Sequence, residues 1–201
     1  MIIDLSQPIT EDTPVYPGDP SVQIKQAGEL TKDGFCDHVV TMGTHVGTHI
    51  DAPMHMLEGG TPLADISPER FVARGVCVDV RGSFDGLYAA DIREGDIVLL
   101  YYGYGDKYHT AEYFENFPSL TTEAAEYLLE KKINMVASDT CSPDGLDGFP
   151  IHRLLLGAGI LIIENLTNLD MLVGKTCTIY ALPIALQKDA APARVIAQTT
   201  E

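Results

Sequence analysis

Residues 43–55 of this 201-residue chain read Gly43-Thr44-His45-Val46-Gly47-Thr48-His49-Ile50-Asp51-Ala52-Pro53-Met54-His55. Three of the six histidines and one aspartate of the chain lie within this stretch, interleaved with glycine, threonine and proline. Imidazole and carboxylate groups are ligands that Zn²⁺, Mn²⁺ and Fe²⁺ accept. The stretch therefore indicates a metal site, and the alternative is a loop with scattered surface histidines.

The spacing of these residues suits an extended segment with a kink. His45, His49 and Asp51 occupy odd-numbered positions, so their side chains project from one face of a strand. A straight strand would separate the Cα atoms of His45 and His49 by roughly 13 Å, so the segment has to bend. Gly47 permits the bend because glycine tolerates positive φ. The proline that follows ends strand pairing, which lets His55 face the same cavity from a second direction. His45, His49 and Asp51 match the three protein ligands usual for a catalytic metal.

The composition of the chain argues against some classes of binding partner. The formal net charge is −16, from 29 acidic and 13 basic side chains, and it argues against a nucleic-acid or anionic-membrane partner. The four cysteines are far apart in sequence, which predicts reduced thiols, and the N-terminus shows no signal peptide. We expect a single domain over residues 1–201, located in the cytoplasm.

The order of apolar patterns predicts an α/β fold with a mixed sheet. The first third reads as strands broken by turns, at 2–5, 22–26 and 37–50, and it favours an antiparallel or barrel-like part. Strands then alternate with helices. The predicted strands are 75–80, 97–101, 135–139, 160–164, 176–182 and 194–198, and the predicted helices are 121–132 and a short one beginning near Pro150.

Further candidate residues lie in the second half of the chain. His152 opens the second helix, and Glu164 ends a strand of four aliphatic residues, where a carboxylate is either paired, metal-bound or an exposed strand terminus. Tyr101, Tyr102 and Tyr104 follow a buried strand and can either line an aromatic substrate pocket or form a surface turn. Cys141 is a candidate nucleophile, but the absence of an adjacent base favours a packed thiol.

The histidine-rich motif and several later segments resemble one family of proteins. The segment from His45 to His55 is similar to the H-x-G-T-H-x-D-x-P-x-H signature of the cyclase family of metal-dependent hydrolases, which includes the bacterial kynurenine formamidases. The later residues that also resemble the family are Ser138-Asp139-Thr140-Cys141-Ser142, Asp144, His152, Ile162-Ile163-Glu164-Asn165-Leu166, Leu182-Pro183 and Ala191-Pro192-Ala193-Arg194-Val195-Ile196. The likeness spans nearly the whole chain.

The resemblance implies roles for these residues and a fold for the chain. His45, His49 and Asp51 would bind metal, with Asp51 able to bridge two ions, and His152 and Glu164 would complete a second position. His55 would be the general acid/base, and Ser142 and Asp144 would orient the ligands. The family fold is a swivelling β/β/α arrangement with a small barrel, and family members form dimers or tetramers.

The resemblance also implies hydrolysis of a small amide, formamide or cyclic amide that depends on one or two ions, with Zn²⁺ expected and Mn²⁺ the alternative. Kynurenine formamidases carry a longer Ser-Lys-Thr-type segment where this chain has residues 145–151. The substrate can therefore be another amide or a lactam, as in an isatin hydrolase. A non-catalytic protein that binds metal or a small molecule on the same fold is the alternative from another class.

Overall fold

The computed structural model describes residues 1–146 and 148–200. Their strands are β1 (Ile2–Asp4), β2 (Gln23–Gly28), β3 (Asp37–Thr41), β4 (His49–Asp51), β5 (Val72–Asp79), β6 (Ile97–Tyr101), β7 (Met135–Ser138), β8 (Leu161–Glu164), β9 (Cys177–Pro183) and β10 (Ala190–Thr199). The α-helices are α1 (Leu30–Asp33), α2 (Asp85–Ala89), α3 (Thr122–Glu130) and α4 (Pro150–Gly157). Of these described helices, none is long and apolar enough to cross a lipid bilayer.

Seven strands close into a barrel. Strands β5, β6, β7 and β8 are parallel, and β4 and β9 pair antiparallel at either end of this group. The long strand β10 closes the ring because its residues 190–192 pair with β4 and its residues 193–199 pair with β9. Strand β1 pairs with residues 196–198 of β10. The predicted mixed α/β fold with a barrel-like part is confirmed.

The apolar residues of β6 show how the barrel is filled. All of Ile97–Leu100 is buried, and the side chains alternate between two cores. Ile97 and Leu99 belong to the core inside the barrel, whereas Val98 and Leu100 belong to the core between the barrel and the helices. The continuous apolar run therefore reflects a strand covered on both faces.

The two longer helices pack on the outside of the barrel. Helix α3 begins after Thr121, whose hydroxyl accepts a hydrogen bond from the Ala124 amide at 3.1 Å. Helix α4 begins at Pro150, where the missing N–H group costs nothing, and it carries His152 in its first turn. Both helices lie within the predicted ranges, and α3 ends two residues before the predicted end.

The predicted extended segment 37–50 is divided in the structure. Strand β3 ends at Thr41 and pairs only with β2, forming an exposed antiparallel hairpin. Strand β4 begins at His49, and the intervening residues form turns with Gly47 at φ +62°. The expected kink at Gly47 is therefore present, but it separates two strands of different sheets.

Candidate metal centre

Strand β4 places the acidic centre of the site on the outer face of the barrel. Ile50 points into the barrel core, so His49 and Asp51 on either side of it point outward. Glu164 on β8 is the register partner of His49 and faces the same way. Helix α4 lies over this face and brings His152 to it. Residues more than a hundred positions apart are thus brought together.

The four side chains lie within a few ångströms of one another. The Nε2 atom of His49 is 3.4 Å from Asp51 Oδ1 and 3.3 Å from Glu164 Oε2. The Nε2 atom of His152 is 3.5 Å from Asp51 Oδ2 and 3.2 Å from Glu164 Oε1. All four side chains are buried, so their charges interact with little screening by water.

His45 and His55 complete the cluster from the solvent side. The Nδ1 atom of His45 is 2.9 Å from Asp51 Oδ1, and the rings of His45 and His55 are 4.1 Å apart. Among the residues that the structure describes, two groups have ligand atoms within 4.8 Å of one another, namely His45, Asp51 and His55, and His49, Asp51 and Glu164. Asp51 belongs to both groups.

Three of the histidines hold an acceptor with the ring nitrogen that faces away from the centre. The Nδ1–H of His49 donates to the Gly47 carbonyl at 2.9 Å, and the Nδ1–H of His152 donates to Asp144 Oδ2 at 2.6 Å. The Nε2–H of His45 donates to Asp189 Oδ2 at 2.9 Å. Each of these bonds fixes the tautomer and leaves the other nitrogen directed at the carboxylates, as in metal-binding histidines.

The polar atoms at the centre test whether a cation fits. Among the described residues, His49 Nε2 and both carboxylate oxygens of Asp51 are buried without a hydrogen bond. Burying a carboxylate in this way is costly unless a cation compensates for it. Imidazole nitrogens and carboxylate oxygens are the donor set of a divalent transition-metal ion. The residues present therefore fit such an ion.

The pKa values of the cluster also show that its buried carboxylates favour positive charge nearby. Burial alone would lower the pKa of His45, but the close carboxylates of Asp51 and Asp189 raise that pKa to about 9. Burial would raise the pKa of Asp51, yet the nearby rings of His49, His152 and His45 hold it well below its usual value. In the metal-free protein, protons therefore supply the positive charge that a cation would bring.

His55 differs from the other three histidines of the cluster. It ends a 3-10 turn over Pro53–His55, and its Nδ1 atom is 3.7 Å from Asp189 Oδ2, beyond hydrogen-bond distance. Burial lowers the pKa of its ring, and the attraction of Asp51 only partly offsets this effect. His55 is therefore a neutral imidazole near pH 7, free to accept a proton.

A cavity of about 180 Å³ opens onto the cluster. Apolar and aromatic side chains form its outer part, and the rings of Tyr16 and Phe114 meet edge to face at 5.9 Å. The described residues that line it are Pro14, Tyr16, Asp19, His45, His49, Asp51, His55, Phe114, Cys141, Ser142, Phe149, His152, Glu164 and Asn165. The cavity therefore combines a polar inner end with an aromatic wall.

The structure places Tyr101, Tyr102 and Tyr104 elsewhere. None of them is among the described residues that line the cavity. Tyr101 lies under the Arg81 guanidinium, and the Tyr104 hydroxyl donates to the carbonyls of Glu112 and Glu115. The chain turns away after β6, so the tyrosine run does not reach the site, and Tyr16, Phe114 and Phe149 provide the aromatic wall.

The remaining candidate residues from the sequence differ in where they lie relative to the cluster and the cavity. Asp144 holds His152 from the side away from the carboxylates, and Ser142, which lines the cavity, accepts a hydrogen bond from the Asp144 amide. Cys141 lines the cavity, but burial raises the pKa of its thiol, which disfavours a thiolate nucleophile. Asp147, within the segment that departs from the formamidase pattern, lies outside the described residues. Asp189 was missed, since one aspartate before a predicted strand carries no sequence signal.

Comparison with known proteins identifies the family. The Cyclase model, described as "Putative cyclase", matches residues 3–145. A kynurenine formamidase of Bacillus mycoides is 30% identical over 203 residues, covering 96% of this chain and 95% of that protein. A solved structure described as a potential metal-dependent hydrolase with cyclase activity is 32% identical, with a TM-score of 0.85 and 100% and 98% coverage. Isatin hydrolase A from Labrenzia aggregata is 26% identical, with a TM-score of 0.90 and 100% and 94% coverage.

The kynurenine formamidase and the two solved structures each match at least 96% of this chain, and the two solved structures share its fold. The relatives are described as hydrolases, and together with the His, Asp and Glu cluster they support a metal-dependent hydrolase. The family model covers well over half of the sequence. The chain belongs to the Cyclase family.

Proposed function

We propose that the protein hydrolyses the C–N bond of a small amide, formamide or cyclic amide, using a divalent ion. The observation that carries the proposal is the buried carboxylate of Asp51, which has ring nitrogens of three histidines, His45, His49 and His152, within 3.5 Å. Two of these histidines, His49 and His152, also lie within 3.5 Å of Glu164. The relatives with this fold include a kynurenine formamidase and an isatin hydrolase.

The distances support two metal positions that share Asp51. The Oδ1 atom of Asp51 lies 2.9 Å from His45 Nδ1 and 3.4 Å from His49 Nε2, which favours these three residues for the first ion. The Oδ2 atom lies beside His152 Nε2, and Glu164 Oε1 lies beside the same nitrogen, which favours Asp51, His152 and Glu164 for the second. Zn²⁺ is the proposed ion, and Mn²⁺ suits the same ligands.

His55 is the proposed general acid/base. A divalent ion bound at this site would supply Lewis-acid polarisation of the amide carbonyl and would acidify a water molecule. The neutral ring of His55 faces the cavity and can take the proton of the attacking water, then return it to the leaving nitrogen. The aromatic wall of Tyr16, Phe114 and Phe149 would hold the ring of the substrate and exclude bulk water.

The charge of the cavity favours a neutral cyclic amide as a second candidate substrate beside an aryl formamide. Among its described lining residues there is no lysine or arginine to pair with a substrate carboxylate, and Asp19 adds a negative charge. N-formylkynurenine carries a carboxylate, whereas isatin and simple lactams do not. The absence of a basic partner therefore favours the uncharged ring compounds.

The test compares hydrolysis of N-formylkynurenine, isatin and simple lactams by native, chelator-treated and metal-restored protein, with Asp51→Asn as the inactive control. Turnover that is lost with the metal and regained with it would support the proposal. Success on a cyclic amide with failure on formylkynurenine would exclude the formamidase activity and retain the hydrolase. Metal binding without turnover of any of these compounds would instead favour the non-catalytic binding protein.

We further propose a homo-oligomer, dimeric or tetrameric, of single-domain subunits in the cytoplasm. The hairpin of β2 and β3 exposes Phe35, Val39 and Val40, each at 49% or more of its surface. Pairing of β1 with β10 joins residues 2–4 to residues 196–198 in one sheet, which supports a single domain. The four free cysteines suit a reducing compartment. Light scattering after size exclusion measures the oligomeric state, and a monomer would contradict it.

A further inference from the structure

Asp189 is fixed next to the metal-binding strand by its own backbone. Its carbonyl accepts a hydrogen bond from the Ala52 amide at 2.8 Å, and the following residue, Ala190, is the register partner of Asp51. Asp189 therefore sits at the point where β10 meets the end of β4. Its position depends on closure of the barrel and changes little when its side chain is altered.

The carboxylate of Asp189 touches two of the histidines of the cluster. Its Oδ2 atom is 2.9 Å from His45 Nε2 and 3.7 Å from His55 Nδ1, and the Thr44 hydroxyl donates to its Oδ1 atom at 3.3 Å. The rings of His45 and His55 are tilted 42° to each other at 4.1 Å, so one oxygen faces the edges of both. A single side chain thus holds the ring of His45 by a hydrogen bond and lies beside the ring of His55.

Comparison with the other histidines shows what this contact does. His49 and His152 are each held from behind, by the Gly47 carbonyl and by Asp144, and both of these acceptors lie in buried surroundings. His45 has Asp189 in the corresponding place, so that its Nδ1 atom is turned toward Asp51. Unlike the side chain of Asp144, which is buried, the side chain of Asp189 is 33% exposed.

We propose that Asp189 is a positioning residue of the metal centre, which orients His45 toward Asp51 and keeps His55 next to it. The proposal rests on the proposed function, because it gives His45 the role of a metal ligand. Asp189 does not line the cavity among the described residues, so it acts through the two histidines and not through the substrate. Partners of this kind typically change metal affinity by about 10- to 100-fold when they are removed.

The test uses Asp189→Ala, Asp189→Asn and the control Asp65→Ala, which removes an exposed carboxylate outside the cavity lining. Zinc affinity is measured by competition with a chromophoric chelator, and the His45 Nε2–H proton is followed by NMR in the metal-free protein. We expect Asp189→Ala to lose the hydrogen-bonded ring proton and about 10- to 100-fold in affinity. Asp189→Asn, which keeps an acceptor oxygen, should recover most of both.

Three outcomes would contradict the proposal or the function on which it rests, and they have different meanings. If Asp189→Ala binds zinc as tightly as Asp65→Ala, or retains the ring proton, Asp189 does not position His45. If the wild-type protein itself binds no zinc while the ring proton behaves as expected, the proposed metal function fails and not the contact between Asp189 and His45. A loss of affinity equal in Asp189→Ala and Asp65→Ala would indicate a general charge effect and would also contradict the proposal.

Discussion

Asp51 is the residue on which the site depends. It lies between His45, His49 and His152, and both of its oxygens are buried without a hydrogen bond. The motif predicted that His45, His49 and Asp51 converge across a bend at Gly47. The strand period places only His49 and Asp51, because His45 precedes β4 in the bent segment. Contacts between distant segments could not be predicted in this way. The positions of Asp189 and of the aromatic wall depend on the conformations of loops, and no local sequence pattern indicates these conformations.

His55→Ala tests the separation of proton transfer from metal binding. We expect kcat to fall about 10²- to 10⁴-fold, the usual contribution of a general acid/base. Metal content should remain that of the wild-type protein, because His45, His49, Asp51 and the second-position ligands are intact. His38→Ala, on the exposed strand β3, is the control. Loss of bound metal in His55→Ala would instead make His55 a ligand, as its grouping with His45 and Asp51 allows.

The pH dependence of hydrolysis follows from the environment of His55. Burial lowers the pKa of this ring below its ordinary value of 6.5, and the base form is the one that accepts the proton. Activity should therefore be retained at neutral pH and lost only as the pH falls through the depressed pKa. The midpoint of the acidic limb in the pH profile of kcat/KM measures this pKa. A midpoint above 6.5 would contradict the assignment of His55 as the base.

At the scale of elements, local patterns predicted most strands and helices because their apolar periods match burial. The run of Ile97–Leu100 and the capped helix after Thr121 agree with the structure to within two residues. The prediction of one extended strand over residues 37–50 is wrong. The threonines and valines of this segment favour extended backbone, but the turns after Thr41 send β3 to a separate hairpin.

Gly47→Ala tests whether the kink positions the metal ligands. Gly47 has φ +62°, and an added Cβ would lie 3.2 Å from Ile9 Cγ1. We expect the substitution to lower the free energy of unfolding by about 1–2 kcal/mol and to weaken metal binding. Gly95→Ala, at φ +83° with open space around it, is the matched control and should lose stability alone. Equal metal affinity in the two variants would show that the kink does not determine the site.

At the scale of the molecule, the barrel is a scaffold that carries the acidic centre on its outer face. Each of its seven strands contributes to the apolar interior, whereas the cluster lies on the outer face under α4. The mixed sheet followed from the order of the elements. Its closure by β10 could not be predicted from the residues alone, because one strand pairs with β4 over its first residues and with β9 over the rest.

Metal removal should destabilise the protein without unfolding it. The barrel core contains no metal ligand, so the fold persists, but the like charges of Asp51 and Glu164 lose their counter-ion. At a free ion concentration 100 times Kd, binding contributes about 2.7 kcal/mol. Thermal unfolding with and without chelator measures the difference, with Asp51→Asn as the control that should not respond. Identical melting temperatures of the wild-type protein would contradict a metal centre.

The most direct measurement is elemental analysis of the purified wild-type protein and of Asp51→Asn, expressed as equivalents of each metal per chain. If Asp51 bridges the proposed positions, the wild-type protein will contain one or two equivalents of zinc or manganese, and Asp51→Asn will contain neither while retaining its fold by circular dichroism. A wild-type protein that stays free of metal after incubation with both ions, or an Asp51→Asn variant with unchanged metal content, would contradict the account.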